Sequence, residues 1–350
     1  MKSNRPMNGL IGSGDRGMFE SSTEIGGYFG LDLPDYGEFF HDTYKFQSAR
    51  ATVRAVLDGN NFSHAMLPRY ICGSIIKSAF DAKLEVQTYY LDESLYPKSL
   101  PSPFPKNCAF IYVNYFGLCQ KNVIRLKEEI PSSNLIIDNS QALFAKHLDV
   151  LASVYSPRKF VGLPDGGLLR ASSYLNVVLP EKEDTGSIAR MRHLLLRLAY
   201  SAREGYSDFQ SARNSLQDTT PLMMSRLTQR LMRSIRWDEV IQRRKENFSI
   251  VAKKMDHINE MKWDYEKDDV PLCYPLMLPR GKVKQIKKEL VSQNIFTPTY
   301  WPDSLPSMPG TIEEFLFMDT MYLPIDQRLD RGQIDFVCNT VEDLLLKNKS

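Results

Sequence analysis

Short apolar runs alternate with helix-like stretches over the first half of the chain, from residue 46 to residue 138. Apolar residues recur at helical spacing over 48–58, and this helix is predicted to end at Gly59-Asn60. The elements predicted after it are a strand at 65–67, a helix at 72–82, a strand at 84–90, a strand at 108–113, a helix at 121–129 and a strand at 134–138. Because helices of this length separate the strands, the pattern predicts βαβ units and a mostly parallel sheet.

The pattern changes after Thr185, where two longer helices are predicted, over 188–204 and 220–256. The second carries an apolar stripe that indicates core packing or a subunit contact, and its members are Met223, Met224, Leu227, Leu231 and Ile235. From residue 261 the chain is predicted to contain strands at 261–265 and 271–277, a helix at 282–292, a further strand and a final helix at 331–346.

These segments predict an α/β protein in three parts. A Gly-, Ser- and Asn-rich flexible arm at 1–24 precedes a large domain over 25–235 and a smaller C-terminal α/β domain over 236–350. Within the arm, residues 12–17 match the dinucleotide-binding pattern Gly-x-Gly-x-x-Gly. No apolar strand precedes this match and no amphipathic helix follows it, so a glycine-rich coil is the better interpretation.

The composition is that of an ordinary globular protein, with 43% hydrophobic and 25% charged residues in 350 positions. A formal net charge of +2 gives no electrostatic case for nucleic acid as a partner. The local basic clusters at 243–245 and 282–288 have acidic neighbours and are interpreted as solvated helix faces. No apolar run approaches ~20 residues and no signal peptide is evident, so we expect neither a membrane span nor secretion.

Cysteine and histidine usage argues against structural metal sites and disulfides. The five cysteines are scattered without a Cys-x-x-Cys pair, which is typical of free thiols in a reducing cytoplasm. The five histidines form no His-Glu-x-x-His pattern, so no metal centre is predicted.

The segment from residue 135 to residue 167 carries the clearest candidate chemistry. A buried-type strand ends in the carboxylate Asp138, with Gln141 three residues on, and Lys159 follows the next apolar run. Ligands bind at the carboxyl ends of strands in an open α/β sheet, so the acid and the amine are expected to meet the same ligand. This pair fits pyridoxal phosphate (PLP), because the amine forms a Schiff base and the acid pairs with the ring nitrogen.

Each of these residues also has a simpler interpretation. Lys159 is either a surface lysine beside Arg158 or an amine buried between two apolar runs, where burial would favour its neutral, nucleophilic form. Asp138 could be a strand-end or turn residue, and Asp165-Gly166-Gly167 could be a tight hairpin turn. Ser48-Ala49-Arg50 opens a helix, which suits either a phosphate or an ordinary N-cap.

Taken together, these segments resemble the DegT/StrS-type nucleotide-sugar aminotransferases, which are PLP enzymes of fold type I. The resemblance covers the chain from about residue 25 to its end. The matching segments are Phe46-Gln47-Ser48-Ala49-Arg50-Ala51, Leu67-Pro68-Arg69-Tyr70-Ile71-Cys72, Val113-Asn114-Tyr115-Phe116-Gly117, Asp138-Asn139-Ser140-Gln141, Lys159, Pro164-Asp165-Gly166-Gly167, Arg243-Arg244 to Phe248, and Leu323-Pro324-Ile325-Asp326-Gln327.

The resemblance implies a fold type I large domain, with a mostly parallel seven-stranded sheet between helices, and a role for each matched residue. Lys159 would hold PLP and later move the proton, Asp138 would keep the pyridine nitrogen protonated, and Gln141 would lie near the ring hydroxyl. The phosphate would be held by Ser48, Ala49, Arg50 and Ser156, and the loop with Tyr70 and Cys72 would contact the cofactor. The resemblance also implies a homodimer with its active sites at the subunit interface.

The chain departs from the family pattern mainly on the substrate side. Val154 stands where a serine usually precedes the lysine by five residues, and Cys72 stands where an aromatic ring often stacks on the cofactor. The link from Asp138 to Lys159 is shorter than usual, and the loop that reaches across the dimer has only a weak counterpart at Arg213-Asn214.

The sequence therefore predicts a cytoplasmic PLP-dependent aminotransferase. By resemblance, it would move an amino group from an amino acid such as glutamate to a keto-sugar, nucleotide-linked, in amino-sugar or surface-polysaccharide biosynthesis. Two alternatives remain open: a PLP-dependent elimination or dehydration on a sugar, and a PLP-fold binding module without catalysis. Lys159 counts against the first, because relatives that dehydrate sugars carry histidine at that position.

Overall fold

The computed structural model describes residues 26–173, 175–302 and 308–347 of the chain. The predicted arm at 1–24 and its glycine-rich match lie outside the described residues. Contacts divide the chain into two compact units, Met1–Pro34 and Asp35–Ser350. The described part of the first unit, residues 26–34, contains no helix or strand.

The second unit is built around a seven-stranded sheet in the order β1-β7-β6-β5-β4-β2-β3. Its strands are β1 Tyr44–Phe46, β2 His64–Pro68, β3 Glu85–Tyr89, β4 Cys108–Val113, β5 Leu135–Asn139, β6 Ala152–Tyr155 and β7 Gly167–Ala171. The strands β2 to β6 are parallel to one another, whereas β7 runs antiparallel to both β6 and β1. The predicted mostly parallel seven-stranded sheet is confirmed.

Eleven α-helices lie in the described ranges, some packed against this sheet and others in the C-terminal part of the chain. They are α1 Ala49–Asp58, α2 Gly73–Asp81, α3 Gln120–Glu129, α4 Ser187–Arg190, α5 Arg192–Ala199, α6 Tyr206–Asn214, α7 Arg226–Arg233, α8 Trp237–Met255, α9 Lys282–Ser292, α10 Ile312–Met318 and α11 Arg331–Lys347. None of the helices in the described ranges has both the length and the apolar character needed to cross a membrane.

The central strands are continuous apolar runs because both of their faces are covered. All six residues of β4 and all five of β5 are buried, as expected for parallel strands between two layers of helices. The helix α1 packs one apolar face on this sheet and exposes Asp58 at its end. The predicted helix 48–58 and strand 108–113 therefore agree with α1 and β4.

Three predictions in the second half of the chain are wrong. The predicted helix 220–256 is two helices, α7 and α8, because the chain turns at 234–236. The predicted helix 188–204 is likewise divided into α4 and α5, and ends at Ala199. No strand forms at 261–265.

A second, two-stranded sheet lies in the C-terminal part of the chain. Its strands, β8 Tyr274–Met277 and β9 Thr320–Leu323, pair antiparallel; α8, α9 and α10 contact these strands, and α11 packs against α8 and α9. The helix α9 has the bounds predicted for it, and α11 extends one residue beyond the prediction. This mixture of strands and helices is the content predicted for a small domain, whose boundary at residue 236 stays a prediction.

Candidate functional site

The candidate residues follow strands that end at one edge of the main sheet. Because β1, β2, β4, β5 and β6 run in the same direction, their carboxyl ends share this edge, and β7 begins there. The residues placed there are Ser48, Ala49 and Arg50 after β1, Tyr70 and Cys72 after β2, Asp138 and Gln141 at the end of β5, and Ser156 and Lys159 after β6. This is the edge at which open α/β sheets bind ligands.

The end of β5 supplies a buried acid and a buried amide. Asp138 is 3% exposed, and one of its carboxylate oxygens accepts a hydrogen bond from the backbone N–H of Ser140 at 2.8 Å. The side-chain oxygen of Gln141 accepts the backbone N–H of Phe116 at 3.1 Å. The Nε2 group of Gln141 is enclosed without any acceptor in the described structure. A buried donor of this kind is unfavourable until an acceptor reaches it.

Lys159 ends the short 3₁₀ turn Pro157–Lys159 that follows β6. Pro157 and Phe160 are buried on either side of it, and the ring of Phe160 packs edge-on against Phe144 at 5.6 Å. The lysine side chain itself is exposed, and its amine makes no hydrogen bond or ion pair with the described residues. Of the two interpretations of Lys159, the structure therefore supports the exposed lysine and not the buried amine, because the apolar neighbours take the inward positions of this turn.

The N-terminus of α1 lies against the start of β7. Ser48 is the N-cap of α1, and its hydroxyl accepts the backbone N–H of Ala51 at 3.3 Å. The backbone N–H of Gly166 donates to Gln47 at 2.7 Å, and a Cβ on Gly167 would overlap the carbonyl group of Ser48. The glycines thus permit a close backbone approach between the start of β7 and the N-terminus of α1. The strands β6 and β7 are joined by residues 156–166. This connection is too long for the tight hairpin turn that was considered for Asp165-Gly166-Gly167 from the sequence.

Two arginines with unused donors accompany this helix start. The guanidinium of Arg50 makes no hydrogen bond or ion pair among the described residues, and burial lowers its pKa. Arg158 is half-buried, and only its Nε donates, to the carbonyl of Leu163 at 3.3 Å. Burial, assisted by the charges of Arg190 and Arg50, lowers the pKa of Arg158 to about 10. Adjacent cations with free N–H groups favour binding of an anion.

The two candidates on the loop after β2 have different surroundings. Tyr70 is 1% exposed; its ring packs against Tyr115 and Trp301, and its hydroxyl bonds that of Tyr322 at 2.7 Å. This placement in the aromatic core does not support a cofactor contact for the Tyr70 side chain. Cys72 is half-buried at the N-cap of α2, with its sulfur 3.0 Å from the hydroxyl of Ser74.

A buried ionic network behind the Lys159 turn was not predicted from the sequence. Asp165 is fully buried, and its carboxylate accepts a hydrogen bond from the hydroxyl of Ser187. Arg190 forms an ion pair with Asp184 and donates a hydrogen bond to the carbonyl of Pro164 at 3.1 Å. Only the Asp-Gly-Gly pattern marked this region in the sequence, because the partners of Asp165 come from α4 and the residues before it. In the described ranges, no cluster of three His, Cys, Asp or Glu residues could hold a metal ion.

Comparison with known proteins relates this geometry to a known fold. No protein-family model and no curated protein sequence matches the chain. The Streptococcus pneumoniae protein Spr1654, which is named as a sugar aminotransferase and has been solved in apo, PMP and PLP forms, is a structural match. Its apo form superposes with a TM-score of 0.62 at 12% identity, over 88% of this chain and 88% of that chain.

Two further solved structures match the chain with similar TM-scores, sequence identities and coverage. The aminotransferase TlmJ from Streptoalloteichus hindustanus superposes with a TM-score of 0.58 at 14% identity, over 88% of this chain and 87% of that one. The sugar aminotransferase CalS13 from Micromonospora echinospora superposes with a TM-score of 0.56 at 14% identity, over 86% and 87%. The chain therefore has the fold of the PLP-dependent fold type I aminotransferases, as predicted from its sequence.

Proposed function

We propose that this protein is a PLP-dependent aminotransferase that transfers an amino group from an amino acid, such as glutamate, to a keto-sugar carried on a nucleotide. One observation above all supports the proposal. Within this fold, Asp138 lies one residue before the end of β5 and Lys159 follows β6, and the two strands are adjacent and parallel, with Asp138 opposite Val154. An acid and an amine are thus placed on neighbouring strand ends, where a planar cofactor can meet both.

The residues at this edge fit PLP. Asp138 offers a buried acceptor for the pyridine N–H, and the unpartnered Nε2 group of Gln141 offers a donor for the ring hydroxyl. For the phosphate, the set available is Ser48, the backbone N–H groups of Ala49 and Arg50, the Arg50 guanidinium and the hydroxyl of Ser156. To this set we add Arg158, whose guanidinium has free donors beside the same helix start.

Each residue then has a chemical task in the transfer. PLP, when bound, supplies an electron sink for the carbon that carries the amino group. Asp138 would keep a proton on the ring nitrogen by its negative charge. Lys159 would hold the cofactor through its amine and, once freed, would take up the proton from the donor Cα on its Nζ. The exposed position of Lys159 leaves its amine accessible to an incoming substrate.

We propose that the protein forms a homodimer, so that its partner is a second copy of the chain. The helices α4 to α6 and the residue after α5 carry a set of exposed apolar side chains, here called the α4–α6 apolar group: Ile188, Leu195, Leu198, Tyr200, Tyr206 and Phe209. Exposure of many large apolar side chains on neighbouring helices is typical of a protein–protein contact.

The five cysteines are unpaired, which supports a location in the reducing cytoplasm.

The absorption spectrum of the purified protein tests the cofactor and the amine together. We expect wild-type protein incubated with PLP to show a visible band that is lost in Lys159→Ala, while Lys146→Ala, which removes another exposed lysine, retains it. Addition of glutamate should shift the wild-type band, and the Lys159→Ala variant should lose turnover but keep its fold. Full activity of Lys159→Ala would refute the proposed role.

Kinetics separate the remaining alternatives. Ping-pong behaviour with an amino donor and a keto-sugar indicates transfer, because the amino group leaves the first substrate before the second one binds. Release of water from a sugar without consumption of an amino donor would instead indicate dehydration. Bound PLP without turnover of any substrate would support a binding module.

A further inference from the structure

Arg244 is a buried cation in the interior of α8. Its side chain is 1% exposed, and it makes no ion pair with any carboxylate in the described ranges. The acid with the largest electrostatic influence on it, Asp326, forms an ion pair with Arg328 at 2.6 Å. Burial therefore lowers the pKa of Arg244 to about 10. A charge in the core without a counter-charge is unfavourable unless its donors are well used.

The guanidinium of Arg244 donates hydrogen bonds to three backbone carbonyls and to one side-chain amide. Its terminal nitrogens donate to Phe160 at 3.2 Å, to Leu272 at 3.1 Å and to Pro271 at 3.4 Å. Its Nε donates to the side-chain oxygen of Gln327 at 3.0 Å, and Gln327 in turn donates to the Phe160 carbonyl at 2.9 Å. The carbonyl of Phe160 thus receives two donors, and the guanidinium lies 4.6 Å from the centre of the Phe160 ring.

These bonds lead to both sides of the candidate site. Phe160 directly follows Lys159, so the first branch ends at the backbone that carries the amine. In the second branch, the backbone N–H of Leu272 donates to Phe116 at 2.8 Å, and the N–H of Phe116 donates to Gln141 at 3.1 Å. One buried guanidinium therefore connects the turn of Lys159 with the amide of Gln141.

The second branch passes through Phe116, whose backbone conformation is unfavourable and has to be held by hydrogen bonds. Phe116 has a positive φ of 57°, a backbone conformation that is unfavourable for a residue with a side chain. The hydrogen bonds from Leu272 to its carbonyl and from its N–H to Gln141 hold it there. A neutral apolar side chain at position 244 could fill the volume but could not supply the donors that fix three carbonyls in one arrangement.

We propose that Arg244, together with Gln327, is a positioning residue that sets the distance and orientation of Lys159 relative to Gln141. This inference rests on the proposed function, because it assigns a purpose to a fixed spacing between two groups that meet the same cofactor. Arg244 is not proposed to touch cofactor or substrate. It acts through the Phe160 carbonyl on one side and through Leu272 and Phe116 on the other.

The decisive variant is Gln327→Glu. A glutamate keeps an acceptor for the Nε of Arg244 and adds a favourable charge for it, but it lacks the N–H that donates to Phe160. We therefore expect this variant to fold with an unchanged or higher melting temperature. Its kcat should nevertheless fall by about 10- to 100-fold, the loss that a small displacement of a reacting group produces. The pH midpoint of the visible absorbance of its PLP-bound form should also shift.

A second pair of variants tests the guanidinium itself. Arg244→Met removes all of its donors, and Arg244→Lys keeps the charge but cannot form the same set of bonds. The matched control is Arg243→Met, because Arg243 is a half-exposed neighbour on the same helix and its ion pair with Glu246 is a loose 3.9 Å. We expect the control to keep the wild-type kcat and pH midpoint, and Arg244→Lys to recover only part of them.

The outcomes are distinguishable from failure of the proposed function. If wild-type protein takes up no PLP, both the proposed function and the positioning role are refuted. If wild-type protein binds PLP and turns over, but folded Gln327→Glu and Arg244→Lys keep its kcat and pH midpoint, only the positioning role is refuted. In that case, Arg244 contributes to the stability of the fold and not to the geometry of the site.

Discussion

Gly167 has space for a hydrogen atom and for nothing larger. A Cβ built on it would overlap the carbonyl group of Ser48 and lie 2.6 Å from the hydroxyl of Thr52. Both neighbours belong to the first turn of α1 or its cap, so the absent side chain is what allows β7 and α1 to meet. The second glycine of the Asp165-Gly166-Gly167 sequence therefore has a steric role at the proposed phosphate site.

We predict that Gly167→Ala weakens PLP binding and lowers stability together. The added methyl group must displace the Ser48 backbone, and overpacking of this kind costs about 1–3 kcal/mol of unfolding free energy. Because the same backbone would bind the phosphate, the PLP dissociation constant should rise in parallel. Urea unfolding of the PLP-free protein and fluorescence titration with PLP measure the two effects.

Gly162→Ala is the control for this substitution. Its added Cβ would meet only a side-chain methyl group of Leu194, at 3.2 Å, which can move aside. This variant should bind PLP as the wild type does. Equal PLP affinities for Gly167→Ala and Gly162→Ala would contradict the proposed phosphate site.

At the scale of single residues, strand ends were predictable and side-chain directions were not. Asp138 lies at the sheet edge because the apolar run from Leu135 to Ile137 predicts a buried strand, and Asp138 directly follows that run near the end of the strand. The burial of Tyr70 depends on Tyr322, which is 252 positions away in the chain. Likewise, the exposure of Lys159 depends on which neighbours in its turn face the core. Such long-range packing leaves no periodic signal in the sequence.

At the scale of elements, helix ends were less predictable than helix faces. The apolar stripe at 223–235 indicated core packing or a subunit contact, and the structure supports core packing, since Met224 is buried and Leu231 and Ile235 pack half-buried against the core. It did not reveal that Ser225 caps the start of α7 or that the chain turns before Trp237, whose indole N–H donates to the carbonyl of Met232 at 3.1 Å. An apolar repeat continues through such a break because both helices pack on the same core. The bounds of α9, by contrast, were predicted from its periodicity alone.

Ser225 gives a quantitative test of the α7 boundary. Its hydroxyl accepts the backbone N–H of Thr228 at 3.1 Å, and its backbone is extended as an N-cap requires. We predict that Ser225→Ala lowers the unfolding free energy by about 1 kcal/mol, because one donor at the helix start loses its acceptor. Chemical denaturation followed by circular dichroism measures this change.

The matched control lies in the interior of the next helix. Ser249 is exposed within α8, where alanine is the better helix former, so Ser249→Ala should be neutral or slightly stabilising. If the two alanine variants have the same stability, Ser225 does not cap α7.

At the scale of the whole molecule, the alternation of strands and helices determined most of the architecture. Short strands separated by single helices allow few arrangements other than a mainly parallel sheet covered on both faces. The sequence pattern could not indicate that the helical region after Thr185 would leave large apolar side chains outside the core. Leu198 is 84% exposed and Leu195, on the same helix, is 53% exposed. Amphipathic periodicity predicts an apolar face but not what covers it.

We predict that a second copy of the chain covers the α4–α6 apolar group, and Leu198→Glu tests this. In a single chain this substitution should change the unfolding free energy by less than about 0.5 kcal/mol, because the side chain is almost fully exposed. In a dimer interface it would bury a charge without a partner and should drive dissociation. Sedimentation velocity should therefore give a dimer for the wild type and a monomer for Leu198→Glu. Leu346→Glu, at a leucine that is 64% exposed on α11, should remain dimeric. A wild-type monomer, or a dimer that persists in Leu198→Glu, would show that this group is not the contact between subunits.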